Sequence, residues 1–222
     1  MSFWDINDKH GFVNHINNSI GQINLNTKFG KLIKQYSENS AIKTILEIGT
    51  WNGLGTTRCI VEGLQNKKDN NYIFYSLECN AEKSDCAKKI YENNTNIHIL
   101  NEVIINEIPN NIYEIFPEIL KNADYAYWNS IDFSNMKDRG LFLKRPNLPE
   151  LFDMILLDGG EFTTYFEYNL LKDRCKYLML DDTNVSKCKL IVDEIQNNPD
   201  KWEVLEKDNE RNGFLICKNK LV

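Results

Sequence analysis

Acidic residues end two apolar runs in the second half of the sequence, where they could take part in chemistry. The run FDMILLD ends in Asp158, and the run YLMLDD ends in Asp181 and Asp182. Such runs are typical of central parallel strands, whose carboxyl ends meet at one edge of a sheet. Three carboxylates at one edge repel each other, and a hard divalent cation would resolve this repulsion most simply. The alternative is that Asp181 and Asp182 point apart and that one caps a helix starting near Ser186.

A glycine-rich turn in the first half of the sequence is the second candidate for chemistry. In ILEIGTWNGLGTT, an apolar run enters a turn that contains Gly49, Gly53 and Gly55, and a predicted helix, Thr56 to Gln65, follows. Glycines let the backbone bend sharply and approach a ligand, and free N–H groups at the helix start can face a polar or anionic group. The pattern predicts half of a nucleotide-binding βαβ unit. The alternative is a turn that only joins a strand to a helix.

The next predicted strand also ends in an acid. The segment YIFYSLE runs from Tyr72 to Glu78. In nucleoside-binding α/β folds, an acid at this point accepts hydrogen bonds from the ribose hydroxyls. The alternative for Glu78 is a solvated strand end. The preceding turn lacks the G-x-G-x-x-G spacing that dinucleotides require, which disfavours an NAD-dependent oxidoreductase, as does a predicted hairpin at the carboxyl end of the chain.

The E-x-G-x-x-x-G-x-G pattern resembles the first motif of class I S-adenosylmethionine-dependent methyltransferases. There an acid lies two positions before the first glycine, as Glu47 does here. Trp51 stands where the family usually has a glycine, and metal-dependent O-methyltransferase branches also carry an aromatic residue there. The third predicted strand, Ile97 to Ile105, includes residues where relatives hold the adenine. The resemblance implies S-adenosyl-L-methionine bound by Glu47, Gly49, Thr50, Trp51, Asn52, Gly53, Glu78, Cys79, Glu102, Val103 and Asp158.

The pattern D-G-G-E followed by L-D-D-T resembles metal-dependent O-methyltransferases that act on catechols, antibiotic sugars and glycans. This resemblance implies that Asp158, Asp181 and Asp182 hold Mg²⁺ or Mn²⁺, which binds the acceptor hydroxyl. Asp158 would thus serve catalysis as well as cofactor binding. Glu161 lies where relatives place a Lys or His base, so it is the candidate general base. Its alternative role is a further ligand or an acid favoured by a helix N-terminus.

The order of predicted elements indicates how these residues are positioned. Five β/α units and a hairpin, Trp202 to Lys207 and Gly213 to Lys218, predict an α/β protein with a seven-stranded, mostly parallel sheet. By resemblance this is the Rossmann-like class I methyltransferase fold with a C-terminal antiparallel hairpin. Residues 28–222 form the predicted S-adenosylmethionine-binding domain and begin with a helix, Lys28 to Ser40. Residues 1–27, with His10 and His15, are predicted to form a helical arm.

Residues 125–149 follow a predicted crossover helix, Asn111 to Lys121, and form an insertion longer than most connections in such folds. The insertion combines aromatic residues, among them Tyr125 and Trp128, with bases such as Arg139 and Arg145. Aromatic faces stack on sugar rings, and arginines bind phosphates or carboxylates. The segment is therefore a candidate acceptor lid. The alternative is a loop that only packs its own aromatic residues.

Composition narrows the classes of function. The 222 residues suit one soluble domain, and a net charge of −6 argues against a general nucleic-acid binder. No run approaches the roughly 20 apolar residues of a membrane span. The start, MSFWDINDKH, lacks the apolar core of a signal peptide, which favours the cytoplasm. None of the six cysteines forms a C-x-x-C pair, so free thiols are expected.

Together these features predict an S-adenosylmethionine-dependent O-methyltransferase, dependent on a divalent metal, that methylates a hydroxyl of a sugar or glycan. Its partner would be a small-molecule or glycan acceptor, and a homo-oligomer is compatible with the sequence. Two alternatives stay open: a non-catalytic binding module with the methyltransferase fold, and a methyltransferase of a non-sugar small molecule.

Overall fold

The computed structural model describes residues 21–222. The predicted arm therefore lies largely outside the described residues, and so do His10 and His15. Residues 21–27 form turns instead of a helix. The first helix, α1, spans Lys28–Glu38, and the Thr27 side chain caps it by accepting a hydrogen bond from the Gly30 N–H.

Nine strands form two sheets in residues 21–222. They are β1 (Thr44–Ile48), β2 (Ile73–Leu77), β3 (Ile97–Leu100), β4 (Glu102–Val103), β5 (Gly140–Leu141), β6 (Phe152–Leu157), β7 (Cys175–Asp181), β8 (Trp202–Asp208) and β9 (Phe214–Asn219). The large sheet has seven strands in the order β3-β2-β1-β6-β7-β9-β8. In this sheet β9 points opposite to the other six strands, so the β7–β9 and β9–β8 pairs are antiparallel and the other four pairs are parallel. The predicted seven-stranded, mostly parallel sheet with a C-terminal hairpin is confirmed.

Helices cover both faces of this sheet. After α1 they are α2 (Thr56–Gln65), α3 (Ala81–Tyr91), α4 (Ile112–Ile115), α5 (Ala123–Met136), α6 (Thr164–Leu171) and α7 (Ser186–Asn197). Helices α1, α2 and α3 bury Phe29, Ile60 and Ala87 against one face, and α6 and α7 bury Tyr168 and Ile191 against the other. Burial of this apolar surface is the main force that holds the layers together.

The connection from β3 to β6 differs from its prediction. The third strand ends at Leu100, and β4 instead pairs with β5 in a separate two-stranded sheet. The predicted crossover helix consists of the short α4 and a 3₁₀ turn, Pro117–Leu120. Much of the predicted insertion is helix α5, and a second 3₁₀ turn, Phe142–Lys144, follows β5.

Helix α5 has its own hydrophobic cluster. Phe133 and Met136 pack with Phe116, Val103 and Phe162, and the last of these belongs to the loop after β6. This cluster fixes α5 above the carboxyl edge of the sheet, close to the acidic strand ends. The segment therefore forms a packed wall at this edge.

The six cysteines are free thiols, as expected from their spacing. Across residues 21–222, no helix has the length and apolar character needed to cross a bilayer.

Candidate active site

A cavity of about 420 Å³ opens at the carboxyl edge of the large sheet. The ends of β1, β2, β6 and β7 and one side of α5 line it. All three predicted metal ligands and Glu161 reach this cavity. Most residues predicted to bind the cofactor also line it: Gly49, Thr50, Trp51, Glu78, Cys79, Glu102, Val103 and Asp158. The structure thus brings the two candidate regions of the sequence into one site.

Backbone hydrogen bonds join the glycine turn to the end of β2. The N–H groups of Gly49 and Thr50 donate to the Leu77 carbonyl oxygen at 2.9 and 3.1 Å. Gly49 has a φ of 98°, and a Cβ at this position would lie 2.1 Å from the Asp158 carbonyl oxygen. Only glycine therefore lets the turn pass so close to the end of β6.

Three residues predicted to contact the cofactor lie behind the turn and are not part of the cavity lining. The fully buried Glu47 carboxylate accepts hydrogen bonds from Thr57 Oγ1 at 2.7 Å and from Ser76 Oγ at 2.5 Å. Asn52 Oδ1 accepts a hydrogen bond from a backbone N–H within the turn. Gly53 faces α3, where a Cβ would lie 3.0 Å from the Ala87 Cβ. In this structure they support the turn from behind, and a direct contact of theirs with the cofactor stays a prediction.

Glu78 is held in one orientation at the end of β2. Its Oε2 accepts a hydrogen bond from the Trp51 N–H at 2.7 Å, and its Oε1 accepts one from the Asn80 N–H at 2.9 Å. Burial raises the pKa of Glu78, against the opposing effect of the Lys83 ammonium. The side chain is 8% exposed, so Glu78 is not a solvated strand end.

The three strand-end acids form the carboxylate cluster, defined as Asp158, Asp181 and Asp182. One carboxylate oxygen from each lies within 4.8 Å of the others. The Lys187 ammonium lies between two of them, 2.6 Å from Asp158 Oδ1 and 3.0 Å from Asp182 Oδ2. Arg211 Nη1 is 3.3 Å from Asp181 Oδ2. The chain itself therefore supplies positive charge among the acids.

The pKa values in this cluster follow from burial and charge. Burial lowers the pKa of Lys187, but Asp158, Asp182 and Asp181 together raise it well above its ordinary value. Burial, reinforced by Asp158, raises the pKa of Asp181 to about 7. The pKa of Asp182 is lowered despite burial, because Lys187 stabilises its charged form.

The donor chemistry of the cluster suits a hard divalent ion. Three carboxylates provide oxygen ligands, which Mg²⁺ and Mn²⁺ prefer. An ion bound to Asp158 and Asp182 would compete with the Lys187 ammonium for the same oxygens.

Glu161 lines the cavity and also contacts the start of α7. Its Oε1 accepts a hydrogen bond from the Lys187 N–H at 3.2 Å. This is the arrangement in which an acid stabilises a helix N-terminus, the alternative role considered for Glu161. Burial raises the pKa of Glu161, and Lys187 opposes this effect.

A second group of acids, the acid pair Asp132 and Glu167, lies beside the two glycines that follow Asp158. A Cβ on Gly160 would lie 2.6 Å from Asp132 Oδ2, and a Cβ on Gly159 would lie 3.0 Å from Glu167 Oε2. Burial raises the pKa of Asp132 to about 7 and that of Glu167 to about 8, and negative neighbours add to both shifts. The D-G-G segment thus leaves room for two carboxyl groups.

Sequence reasoning missed Lys187, Arg211 and the acid pair. A signal existed for Lys187, because a lysine in the first turn of a helix opposes the helix dipole unless acids lie nearby. The acid pair had no such signal, since Asp132 and Glu167 come from helices whose packing the sequence pattern did not reveal.

Comparison with solved structures identifies the fold class. No family model matches the sequence, and no curated protein matches it. The chain is similar to an O-methyltransferase from Bacillus cereus solved in complex with S-adenosylhomocysteine, with 14% identity, a TM-score of 0.57 and coverage of 94% of this chain and 89% of that one. At these levels of identity the likeness establishes the class I methyltransferase fold.

Two further neighbours have the same fold. The S-adenosylhomocysteine-bound methyltransferase PaMTH1 of Podospora anserina has 13% identity and a TM-score of 0.53, with coverage of 86% of this chain and 78% of that one. The O-methyltransferase TomG of Streptomyces achromogenes, solved with S-adenosylmethionine and involved in tomaymycin synthesis, has 11% identity, a TM-score of 0.52 and coverage of 86% and 79%.

Proposed function

We propose that this protein is an S-adenosylmethionine-dependent O-methyltransferase. The observation that carries the proposal is the glycine turn fastened to Glu78 at a cavity in a class I methyltransferase fold. Neighbours with this fold were solved with S-adenosylhomocysteine or S-adenosylmethionine, which supports the choice of cofactor.

Two features of the cavity fit this cofactor. Gly55 and Thr56 line it at the start of α2, where no side chain of residues 21–222 caps the helix, and backbone N–H groups at a helix start suit the methionine carboxylate. The Glu78 carboxylate, already oriented by the Trp51 and Asn80 N–H groups, suits the ribose hydroxyls.

For methyl transfer, the protein has to align the acceptor hydroxyl with the methyl group more than it has to activate the leaving group. The S–CH₃ bond breaks as the O–CH₃ bond forms, the sulfur keeps the electron pair, and the acceptor hydroxyl loses its proton. Because the reaction is an in-line displacement, holding the hydroxyl opposite the sulfur supplies much of the rate. Glu161, with its pKa raised by burial, is the proposed acceptor of that proton. Asp158 is the proposed group that orients the hydroxyl.

We include a divalent ion, Mg²⁺ or Mn²⁺, in the proposal. Asp158, Asp181 and Asp182 would hold it, and Lys187 would have to release two of these carboxylates. A bound ion would lower the pKa of the acceptor hydroxyl and fix its position. EDTA is then expected to abolish methyl transfer while S-adenosylhomocysteine binding persists, and Mg²⁺ or Mn²⁺ should restore transfer. Full activity in EDTA would remove the ion from the proposal.

A sugar or glycan is the proposed acceptor. Trp128 and Ile131 of α5 line the cavity, and an aromatic ring near an acceptor site suits a sugar face. In this proposal α5 is the acceptor lid. The net charge of −6 favours such an acceptor over a nucleic acid. A non-sugar small molecule is the alternative, and methyl-transfer assays on a panel of sugars and simple phenols or alcohols distinguish the two.

The cytoplasm is the proposed compartment. Light scattering would measure the oligomeric state.

A non-catalytic binding module is the second candidate. Lys187 favours it, because a cluster neutralised by a lysine no longer requires an ion or a reaction to explain its acids. A module of this kind would bind S-adenosylhomocysteine but transfer no methyl group to any member of the panel.

Calorimetry tests the cofactor directly. The protein is expected to bind S-adenosylhomocysteine and not NAD. Glu78→Ala should weaken binding by roughly 1.5–3 kcal/mol, the range for hydrogen bonds to a charged group. The matched control is Glu92→Ala, an exposed acid at the other end of α3 that does not line the cavity. Equal affinity of the Glu78 variant and the wild type would contradict the assignment of the ribose.

A further inference from the structure

A second cavity, of about 410 Å³, opens at the edge of the large sheet where β2 and β3 begin. Its walls come from α2, the end of α3, the start of β3 and the loops that precede β2 and β3. The volume lies within the range of small-molecule sites, roughly 300–1,000 Å³. Tyr72 lines this cavity and Glu78 lines the candidate active site, at opposite ends of β2. A rise of about 3.3 Å per residue therefore separates the two cavities by roughly 20 Å.

Neutral polar side chains dominate the lining of the second cavity. Thr95 contributes a hydroxyl group, and no lining residue within 21–222 is an acid, a lysine, an arginine or a histidine. The other polar contributors beside the tyrosines are carboxamides, which both donate and accept hydrogen bonds: Gln65, Asn70, Asn93, Asn94 and Asn96.

Two of these asparagines hold the loop between α3 and β3 in place. The Asn94 Nδ2 group donates to the Tyr72 hydroxyl oxygen at 2.9 Å, and Asn94 Oδ1 accepts a hydrogen bond from the Asn96 N–H at 3.0 Å. Asn96 Nδ2 donates to the Asn70 carbonyl oxygen at 2.9 Å. The side chains of Gln65 and Asn93 are exposed and make no hydrogen bond within residues 21–222. The loop is therefore ordered by its own contacts, while two carboxamides keep their full hydrogen-bonding capacity for a ligand.

This lining disfavours charged ligands. Anion sites use arginine, lysine or the N–H groups of a helix N-terminus, whereas α3 meets this cavity at its C-terminal end, Tyr91, where the helix dipole is negative. Hard cations require oxygen ligands that include carboxylates, and the described lining has none. The ligand class that fits is neutral and rich in hydroxyl groups, because a hydroxyl, like a carboxamide, both donates and accepts.

An apolar surface accompanies these polar groups. Ile90 lines the cavity and is 45% exposed, so its side chain offers a face on which a ligand can bury C–H groups. A sugar ring combines one C–H face with a rim of hydroxyl groups, which matches an exposed isoleucine beside carboxamides.

We propose that the second cavity is a binding site for a neutral sugar unit. The ring packs on Ile90, and its hydroxyl groups exchange hydrogen bonds with the Gln65 and Asn93 carboxamides. Resting on the proposed function, this site holds a distant unit of a glycan acceptor while the unit to be methylated occupies the candidate active site. Attachment at two points raises the affinity for a chain that spans both sites above that for a single unit, because the second contact is intramolecular.

A titration followed by ¹⁵N–¹H NMR tests the site itself. The probes are four neutral hexasaccharides, built from glucose, galactose, mannose or N-acetylglucosamine, and the anionic hexamer of galacturonate. The amide signals of residues 93–96 should shift saturably with at least one neutral hexasaccharide and not with the galacturonate hexamer. The double variant Gln65→Ala/Asn93→Ala should bind that hexasaccharide about tenfold more weakly, since it loses hydrogen bonds from both carboxamides. The matched control is Asn66→Ala, which removes a neighbouring exposed carboxamide that does not line the cavity.

Three results would overturn the second site. They are the absence of shifts at residues 93–96 with all four neutral probes, tighter binding of the galacturonate hexamer there, and equal affinity of the double variant and the wild type. Methyl transfer to the same probes separates this site from the proposed function. Shifts at residues 93–96 in a protein that transfers no methyl group would support the sugar site while contradicting both the proposed function and the attachment of an acceptor.

Kinetics test the attachment at two points. For a hexasaccharide that is methylated, the double variant should raise KM several-fold and leave kcat unchanged, while KM for the corresponding monosaccharide stays the same. An unchanged KM for the hexasaccharide would overturn the two-point attachment.

Discussion

Two groups of acids at the same edge of the sheet differ in the cations that lie near them. The carboxylate cluster is neutralised by Lys187 and Arg211, whose cationic groups lie 2.6 to 3.8 Å from its oxygens. For the acid pair, by contrast, residues 21–222 provide no ion pair within 4.0 Å. Within residues 21–222, cations therefore lie at ion-pair distance from the first group of acids and not from the second.

This difference has an energetic consequence. Breaking a buried ion pair leaves an uncompensated charge, which is strongly destabilising. Removing the charge from an acid without a partner relieves a desolvation cost instead. Loss of a charge should therefore have opposite effects on the stability of the two groups.

The largest effect is expected from Lys187→Met. This change leaves the three carboxylates without their central cation, and the expected loss in free energy of unfolding is about 3–5 kcal/mol. Chemical denaturation at pH 7.5 in EDTA measures it. The control is Lys189→Met, two residues along the same helix and exposed, which should change stability by less than about 0.5 kcal/mol.

Addition of Mg²⁺ or Mn²⁺ sharpens this prediction. Since Lys187 competes with the ion for Asp158 and Asp182, the variant should gain more thermal stability from the ion than the wild type does. A variant as stable as the wild type in EDTA would mean that the lysine does not hold the cluster together.

A gain in stability is expected from Glu167→Gln. The pKa of Glu167 rises from an ordinary 4.5 to about 8 on folding. Between these values the folded state keeps a proton that the unfolded state has lost, so this group lowers stability as pH rises from about 4.5 to 8. The variant lacks this penalty and should be more stable than the wild type at pH 8.5 by roughly 1–3 kcal/mol.

Denaturation curves of ligand-free protein at pH 5.5 and pH 8.5 measure this gain. It should be much smaller at pH 5.5, where the folded wild type holds the proton. A gain of equal size at both values would show that the pKa of Glu167 is not raised on folding, and a loss at pH 8.5 would show that Glu167 has a charge partner.

The sequence predicted the carboxylate cluster better than the acid pair for a physical reason. Asp158, Asp181 and Asp182 end strands of one parallel sheet, and pairing between strands brings such ends together whatever else the chain does. Asp132 and Glu167 lie on α5 and α6, whose approach depends on the packing of Phe133, Phe116 and Phe162, and no local pattern encodes that approach.

The glycine turn also shows which features could be predicted from the sequence and which could not. The strand, the turn and the helix could be predicted from residue types, whereas the contact of Gly49 with the end of β6 could not. Which way Glu47 and Gly53 face could not be predicted, because their direction depends on Ser76 and Ala87, on separate elements. Spacing predicts the course of the backbone, whereas side-chain partners depend on tertiary packing.

The smallest effect is expected from Arg211→Gln. Arg211 pairs with Asp181 at 3.3 Å and with Asp182 at 3.8 Å, but its side chain is 23% exposed against 6% for Lys187. Water therefore screens this pair, and its loss should cost only about 0.5–1 kcal/mol. Position 211 has a φ of 56°, and both residues bear a Cβ, so backbone strain largely cancels from the comparison.

The cost of Arg211→Gln should also depend on pH and salt. Asp181 has a pKa raised to about 7, so it is neutral at pH 5.5 and charged at pH 8.5, and the variant should lose more stability at the higher pH. Added NaCl should reduce the loss at pH 8.5, because a partly exposed pair is screened. Denaturation at two pH values and two salt concentrations measures both effects. A loss as large as that of Lys187→Met, insensitive to salt, would mean that Arg211 and Lys187 share the neutralisation of the cluster equally.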